Sequence, residues 1–150
     1  MKALIVYDSQ YGNTEQIAKG IADGLAKNCD VVLKKAADVG PGDIDGIALL
    51  LVGSPTQGSK PTVPIREFLQ KLPADGLKGI RAAAFDTRMT NPFIRMFGFA
   101  APKIDKTMAE KGAVSAAKPE GFWVVSGKGP LKDFEITRAA HWAETVAIIK

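Results

Sequence analysis

The stretch Y7-D8-S9-Q10-Y11-G12-N13-T14-E15 lies between an apolar run, residues 3–7, and a helical pattern that begins after Asn13. It contains hydroxyl and amide side chains and one glycine, but no lysine or arginine. A helix that directly follows a strand presents free backbone N–H groups and the positive end of its dipole, and together these bind anions. The stretch therefore predicts a site in which neutral donors hold a phosphate dianion.

The side chains of this stretch offer several uncharged donors. Ser9 and Thr14 have hydroxyl groups, Asn13 has an amide, and Gly12 lets the backbone approach a ligand closely. The stretch has neither the lysine of the G-x-x-x-x-G-K-[ST] nucleotide loop nor the G-x-G-x-x-G pattern of a Rossmann dinucleotide site. We therefore expect neither Mg-nucleotide hydrolysis nor dinucleotide binding at this position.

Outward from this stretch, short apolar runs alternate with helical patterns. The runs predicted to be strands cover residues 3–7, 31–33, 47–52, 80–85 and 122–125. The run I47-A48-L49-L50-L51-V52 has no polar alternation, which is typical of a strand covered on both faces. Because strands joined by helical crossovers form a parallel sheet, we expect an α/β fold with helices on both faces of that sheet.

Local signals predict where two of the helices begin. Asn13 is expected to cap the first helix, and Gln16 three residues later completes a capping-box pattern. Pro130 suits the first turn of the C-terminal helix. Residues 36–46 contain three glycines and one proline, so we expect mainly loop there, with a short helix.

Length, charge and cysteine content restrict the class of protein. The length of 150 residues predicts a single domain over residues 1–150. The formal net charge of the chain is +4. The lone Cys29 is typical of a reducing compartment, and no apolar stretch reaches the roughly 18–20 residues that span a membrane. We expect a cytoplasmic protein without a membrane span. The scattered basic residues do not predict a nucleic-acid partner, and the single Cys29 and single His141 do not predict a metal site.

Two further loops follow strands of the same predicted sheet. Ligands of parallel sheets bind outside the carboxyl ends of the strands, which directs attention to residues 8–14, 54–62 and 87–99. In the second loop, S54-P55-T56-Q57-G58-S59-K60-P61-T62, Pro55 stiffens the turn and Gly58 gives it conformational freedom.

The first two loops carry a resemblance to a known family. S9-Q10-Y11-G12-N13-T14 resembles the flavodoxin phosphate-loop pattern [ST]-x-[ST]-G-x-T, with Tyr11 in place of the usual hydroxyl residue. The first loop and G53-S54-P55-T56 are also similar to the flavodoxin domains of A-type flavoproteins and to quinone reductases of the tryptophan-repressor-binding-protein type. The resemblance implies a flavodoxin-like three-layer sandwich of the short type, whose five-stranded parallel sheet has the order 2-1-3-4-5.

The resemblance implies FMN as the cofactor, with its phosphate on the first loop and its ring against the other two. The cofactor-binding residues that it implies are Ser9, Gln10, Tyr11, Gly12, Asn13, Thr14, Pro55, Thr56, Gln57, Gly58, Asp86, Thr87 and Arg88.

Three of these residues are expected at the strand end next to the third loop. Thr87 is expected at the pyrimidine edge of the ring. Arg88 near flavin N1 would favour the anionic reduced flavin by charge attraction. In the second loop, the peptide expected to turn towards the flavin on reduction is Gln57–Gly58 or Gly58–Ser59.

The third loop is long and apolar, and it contains neither tyrosine nor tryptophan. Phe93, Met96 and Phe97 could cover the flavin, but their spacing also suits a short helix with an apolar face, and both alternatives stay open. The exposed apolar residues of this loop could also form a docking patch or a quinone pocket, and burial against the C-terminal half of the chain is an equal alternative. The residues concerned are Phe93, Ile94, Met96, Phe97 and Phe99, with Arg88 and Arg95 among them.

Three functions are consistent with these patterns. The first is an electron carrier that accepts electrons from a reductase and passes them to an acceptor protein, with no catalytic residue of its own. The second is an FMN-dependent oxidoreductase that reduces a quinone with NAD(P)H. The third is a flavodoxin-like binding module without flavin.

Overall fold

The computed structural model describes residues 1–89 and 98–148. Within these ranges six strands form one sheet: β1 Lys2–Tyr7, β2 Asp30–Lys35, β3 Leu49–Pro55, β4 Arg81–Arg88, β5 Val114–Ser115 and β6 Glu120–Trp123. The helices in the same ranges are α1 Asn13–Leu25, α2 Val63–Lys71, α3 Ala100–Glu110 and α4 Glu135–Val146. Short 3-10 turns, Ala36–Asp38 and Pro41–Ile44, occupy the stretch predicted to be mainly loop.

The sheet is parallel, and its order confirms the predicted 2-1-3-4-5 arrangement. The fifth position is divided between two short strands that both pair with β4. β5 pairs with the beginning of β4 at Arg81, and β6 pairs with its end, from Phe85 to Arg88. The pairing with β4 shifts by two residues between them, from Arg81 with Val114 to Phe85 with Glu120. Pro119, which precedes β6, has no N–H to donate to a strand ladder.

The core lies on both sides of β3. Leu50 and Val52 pack in the cluster formed with α2 and α3, whereas Leu49 and Leu51 pack in the cluster formed with α1 and α4. All four side chains have no exposed surface. Since side chains alternate between the two faces of a strand, a continuous apolar run is the pattern that this double coverage requires.

The C-terminal helix begins later than the sequence predicted. α4 starts at Glu135, and Pro130 lies in the preceding loop, so its predicted place in the first helical turn is wrong. The reason is a return of the chain beside β6. The carbonyl of Pro130 accepts a hydrogen bond from the N–H of Val125 at 2.8 Å, and the N–H of Lys132 donates to the carbonyl of Trp123 at 2.9 Å.

Helices α1 and α4 pack closely because glycines lie at their contact. A Cβ atom added to Gly24 would lie 2.4 Å from the carbonyl oxygen of Ala140, and one added to Gly20 would lie 3.0 Å from that of Ile136. The two backbones approach so closely that there is no space for a side chain at position 20 or position 24 of α1. No helix in the described ranges has the length and apolar character needed to cross a membrane.

We expect Gly24→Ala to lower the free energy of unfolding by about 1–2 kcal/mol. The added Cβ would lie 2.4 Å from a backbone oxygen of α4, which places the overpacking cost in the upper part of its usual range, at about 2–3 kcal/mol. The roughly 1 kcal/mol that alanine gains over glycine in a helix offsets part of this cost. Urea denaturation measures the difference. Gly42→Ala is the matched control, since a Cβ there meets nothing within 4 Å. A Gly24→Ala variant as stable as this control would contradict the close contact.

Candidate functional site

The carboxyl ends of β1, β3, β4 and β6 meet at one edge of the sheet, and a solvent-open cleft of about 470 Å³ lies there. All three loops singled out in the sequence contribute to it. Its lining residues are Ser9, Gln10, Tyr11, Asn13, Thr14, Pro55, Thr56, Thr87, Arg88, Met89, Val124 and Gly127.

Four residues predicted to bind the cofactor do not line this cleft. Gly12 instead shapes the first loop, Gln57 and Gly58 form an exposed turn at the rim, and Asp86 is buried next to Arg88. The structure thus brings together most of the predicted site residues and assigns these four to positions around them.

The first loop is organised by Ser9. Its Oγ accepts hydrogen bonds from the backbone N–H of Gly12 at 3.1 Å and of Glu15 at 3.2 Å. Gly12 precedes the helix with φ 88°, a left-handed conformation that favours glycine. The prediction that Asn13 caps α1 is wrong. Asn13 is the first helical residue, and its Nδ2 donates to the carbonyl of Lys128 at 3.2 Å.

The same loop has donors that the protein does not use. Within the described ranges, the backbone N–H groups of Gln10, Tyr11, Asn13 and Thr14 have no acceptor. The hydroxyls of Thr14 and Thr87 lie 2.8 Å apart and share one hydrogen bond, so one of the two O–H groups stays free to donate. Buried polar groups normally find partners, and Asn13 and Thr14 are both buried. These donors fit an anion such as a phosphate group.

The second loop closes in a tight turn. The N–H of Gln57 donates to the carbonyl of Lys60 at 2.8 Å, and the reverse hydrogen bond measures 2.9 Å. Gly58 and Ser59 have φ values of 54° and 65°, which correspond to a type I′ turn. Ser59 is held in this conformation although it is not glycine, and its carbonyl accepts a hydrogen bond from Lys103 Nζ.

Hydrogen bonds tie this second loop to its neighbours. The N–H of Thr56 donates to the carbonyl of Thr87 at 3.0 Å, and Thr56 Oγ1 accepts from the N–H of Ala100, where α3 begins, at 3.1 Å. Gln57 Nε2 donates to Gln10 Oε1 across the mouth of the cleft. The first and second loops and the start of α3 therefore hold one another in position.

Arg88 does not offer a free cation to the cleft. Its Nε donates to Asp86 Oδ1 at 2.6 Å and its terminal nitrogen donates to Asp86 Oδ2 at 2.7 Å. Asp86 Oδ2 also accepts the N–H of Ala101 at 2.8 Å, and the Asp86 side chain has no exposed surface. Burial raises the pKa of the Asp86 carboxyl, while the hydrogen bonds from Arg88 and Ala101 act to lower it. Because both oxygens accept N–H donors, we assign an ionised carboxylate.

Sequence reasoning missed the loop that follows β6. Val124 and Gly127 line the cleft, and Lys128 Nζ lies 5.9 Å from the centroid of the Tyr11 ring at its rim. The rule that identified the other loops applies equally to β6, because it too is a parallel strand that ends at this edge. The signal for this loop is therefore present in the sequence, as the strand-like run of residues 122–125.

Part of the third loop lies outside the described residues. Phe93, Met96 and Phe97, the alternative covers of the flavin, lie there. So do Ile94 and Arg95 of the alternative docking patch or quinone pocket. The described ends of the loop are Met89, which lines the cleft, and Phe99.

Comparisons with known proteins agree on the fold. A family model described as Flavodoxin matches residues 5–142. A flavodoxin from the domain Archaea is 24% identical, with a TM-score of 0.80 over 98% of this chain and 96% of that chain. Oxidised Flavodoxin 2 from Bacillus cereus is 23% identical, with a TM-score of 0.83 over 98% of both chains. Rubredoxin oxygen:oxidoreductase from Desulfovibrio gigas is 21% identical, with a TM-score of 0.78 over 97% of this chain but 35% of its own. No curated protein matches significantly.

We expect Ser9→Ala to lower the unfolding free energy of the cofactor-free protein by about 1 kcal/mol, the usual loss when a capping hydroxyl is removed. The N–H groups of Gly12 and Glu15 would lose their acceptor. Chemical denaturation measures the effect. Ser9→Thr keeps the hydroxyl, and Ser115→Ala removes an exposed one as a matched control. Equal stability of Ser9→Ala and Ser115→Ala would contradict the capping role of Ser9.

Proposed function

The chain belongs to the flavodoxin family, whose members bind FMN and transfer electrons, and we propose that it carries electrons between a reductase and an acceptor protein. One observation supports this proposal above all others. The turn between β1 and α1 combines backbone N–H groups that have no acceptor in the described ranges with the hydroxyls of Thr14 and Thr87, at the edge of an open cleft.

The residues at the cleft fit FMN. Its phosphate would be held by the first loop, from Ser9 to Thr14, through backbone N–H groups and neutral side chains. Its ring would lie next to Pro55, Thr56 and Thr87, which are neighbours at the ends of β3 and β4 and line the cleft together. When bound, FMN supplies the reversible uptake and release of electrons, and the protein supplies binding, orientation and electrostatics.

The lining of the cleft favours a carrier over an enzyme. Among the described lining residues there is no histidine, aspartate or glutamate, and the one arginine, Arg88, is paired with Asp86. Reduction of a quinone by NAD(P)H requires proton delivery to the substrate, for which a side chain that titrates near neutral pH is the usual donor. Electron exchange between proteins has no such requirement, and the open mouth of the cleft gives a partner access to the cofactor.

Two measurements test the proposal: the first tests flavin binding, and the second distinguishes the carrier from the oxidoreductase. Purified protein incubated with FMN and freed of excess should show the visible absorption of bound flavin. We expect it to oxidise NAD(P)H in the presence of a quinone only when a separate flavoprotein reductase is added, and then to reduce an added haem protein. Sustained NAD(P)H oxidation without the reductase would overturn the carrier proposal in favour of the oxidoreductase. Absence of flavin at saturating FMN would overturn both.

We expect Thr14→Val to weaken FMN binding by about 10–100-fold, the value of one hydrogen bond to a charged group. Binding of riboflavin, which lacks the phosphate, should change little, because the lost hydroxyl is assigned to the phosphate alone. Fluorescence titration measures both dissociation constants. Thr145→Val is the matched control, since Thr145 is exposed on α4. An equal loss of affinity for FMN and riboflavin would contradict the assignment of Thr14 to the phosphate.

A further inference from the structure

We propose that Asp86 is a positioning residue: its carboxylate holds the Arg88 guanidinium in a buried pair and cancels its charge at the cleft, which lowers the reduction potential of the bound cofactor. The inference rests on the proposed function, since it concerns the electrostatics of the cleft where FMN is placed. Asp86 would thus lower the reduction potential of the cofactor without contacting the cofactor.

The geometry of the pair supports this role. The guanidinium and the carboxylate meet side by side through two short hydrogen bonds, at 2.6 and 2.7 Å, which is the strongest arrangement available to these groups. The N–H of Ala101 adds a third donor at the beginning of α3. Asp86 has no exposed surface and the Arg88 side chain is 14% exposed, so water screens the pair weakly.

The surroundings keep the guanidinium in this place. Its central carbon lies 3.7 Å from the centroid of the Phe99 ring and 5.8 Å from that of Trp123. On another side it touches the backbone of β6 at Gly121, where an added Cβ would lie 2.1 Å from the same carbon. Arg88 can therefore reach Asp86 in this conformation only because residue 121 has no side chain.

Neighbouring charges do not replace Asp86 as the partner of Arg88. Glu120 is the other carboxylate whose charge acts on Asp86, and it binds Arg138 at 2.7 Å. Arg138 is also held by Glu135, on the far side of Gly121. Loss of the Asp86 charge would thus leave the Arg88 charge uncompensated at the cleft that it lines.

The electrostatic consequence has a definite sign. Reduction adds negative charge to a flavin, so a free cation nearby stabilises the reduced form and raises the potential. A neutral pair has a much weaker effect. The wild-type cofactor should therefore have a lower potential than that of any variant in which Arg88 loses its partner.

Asp86→Asn tests this directly. The change keeps the size of the side chain and an acceptor for the N–H of Ala101, but it removes the negative charge. We expect the ratio of the dissociation constants for oxidised and reduced FMN to rise about tenfold, as expected for one uncompensated charge at a partly buried site. That change corresponds to about 30 mV for a two-electron couple and is measured by spectroelectrochemistry of the FMN-loaded protein against free FMN.

Gly121→Ala provides a second route that leaves Asp86 intact. The new methyl group would displace the flexible end of Arg88 from its place beside Asp86. Without Arg88, the buried Asp86 carboxyl loses the partner that lowers its pKa, and burial favours its neutral form. The displaced guanidinium is then uncompensated, so we expect a rise in the same direction, and this variant provides the test if Asp86→Asn fails to fold. Gly42→Ala is the matched glycine control, because its added Cβ meets no atom within 4 Å and it lies in the 3-10 turn Pro41–Ile44.

The double variant Asp86→Asn/Arg88→Gln separates charge from structural damage. If charge is responsible, removal of both partners should return the ratio to within about twofold of the wild type, whereas structural damage should persist or increase. A folded, FMN-loaded Asp86→Asn or Gly121→Ala variant whose ratio stays at the wild-type value, or a double variant that stays at the Asp86→Asn value, would overturn the inference. Wild-type protein that fails to bind FMN would overturn the proposed function and this inference together.

Discussion

The double coverage of β3 confines polar chemistry to the ends of the strands. Leu49 to Val52 are buried from both sides by helices, so the middle of the sheet can hold only apolar side chains. Polar groups occur where the strands stop and the chain returns to solvent. Because all strands of a parallel sheet stop in the same direction, loops that are distant in sequence collect at one edge. The cleft is a result of this constraint, and so is its composition from four separate segments.

At that edge the protein accommodates an anionic ligand group and its own cation, Arg88, in two different ways. The first loop prepares for an anion with backbone N–H groups and neutral hydroxyls, whose dipoles are fixed by Ser9 and by the left-handed turn at Gly12. The strand β4 brings a cation to the same cleft but pairs it internally with Asp86. Both devices keep unpaired formal charge out of the described lining of the cleft. An open flavin site built in this way depends on dipoles more than on charges.

The sequence predicted the order of the sheet and the first two loops. It did not predict where β4 ends, and the pairing of Asp86 with Arg88 depends on that. The apolar run predicts that β4 ends at residue 85, which places Asp86 and Arg88 at the strand end as separate cofactor-binding residues. The observed strand continues to Arg88, and residues two apart on a strand share a face. Asp86 and Arg88 can pair because they lie on the same face of β4. A strand predicted to continue to residue 88 would have placed them on one face. The predicted cap of α1 was wrong because Asn13 binds a distant segment, at Lys128. The predicted start of α4 was wrong because the chain first returns beside β6, where the N–H of Val125 binds the carbonyl of Pro130.

The pair also explains how the third loop joins the rest of the fold. Arg88 precedes that loop and Phe99 follows it, and the guanidinium of one stacks on the ring of the other at 3.7 Å. Asp86 binds both Arg88 and the N–H of Ala101, so a single buried carboxylate connects the last residue of β4 to the first turn of α3. The two ends of the loop are thereby held by contacts within the described residues. The same carboxylate therefore has two consequences, one for the charge at the cleft and one for the position of α3, and the second is independent of any cofactor.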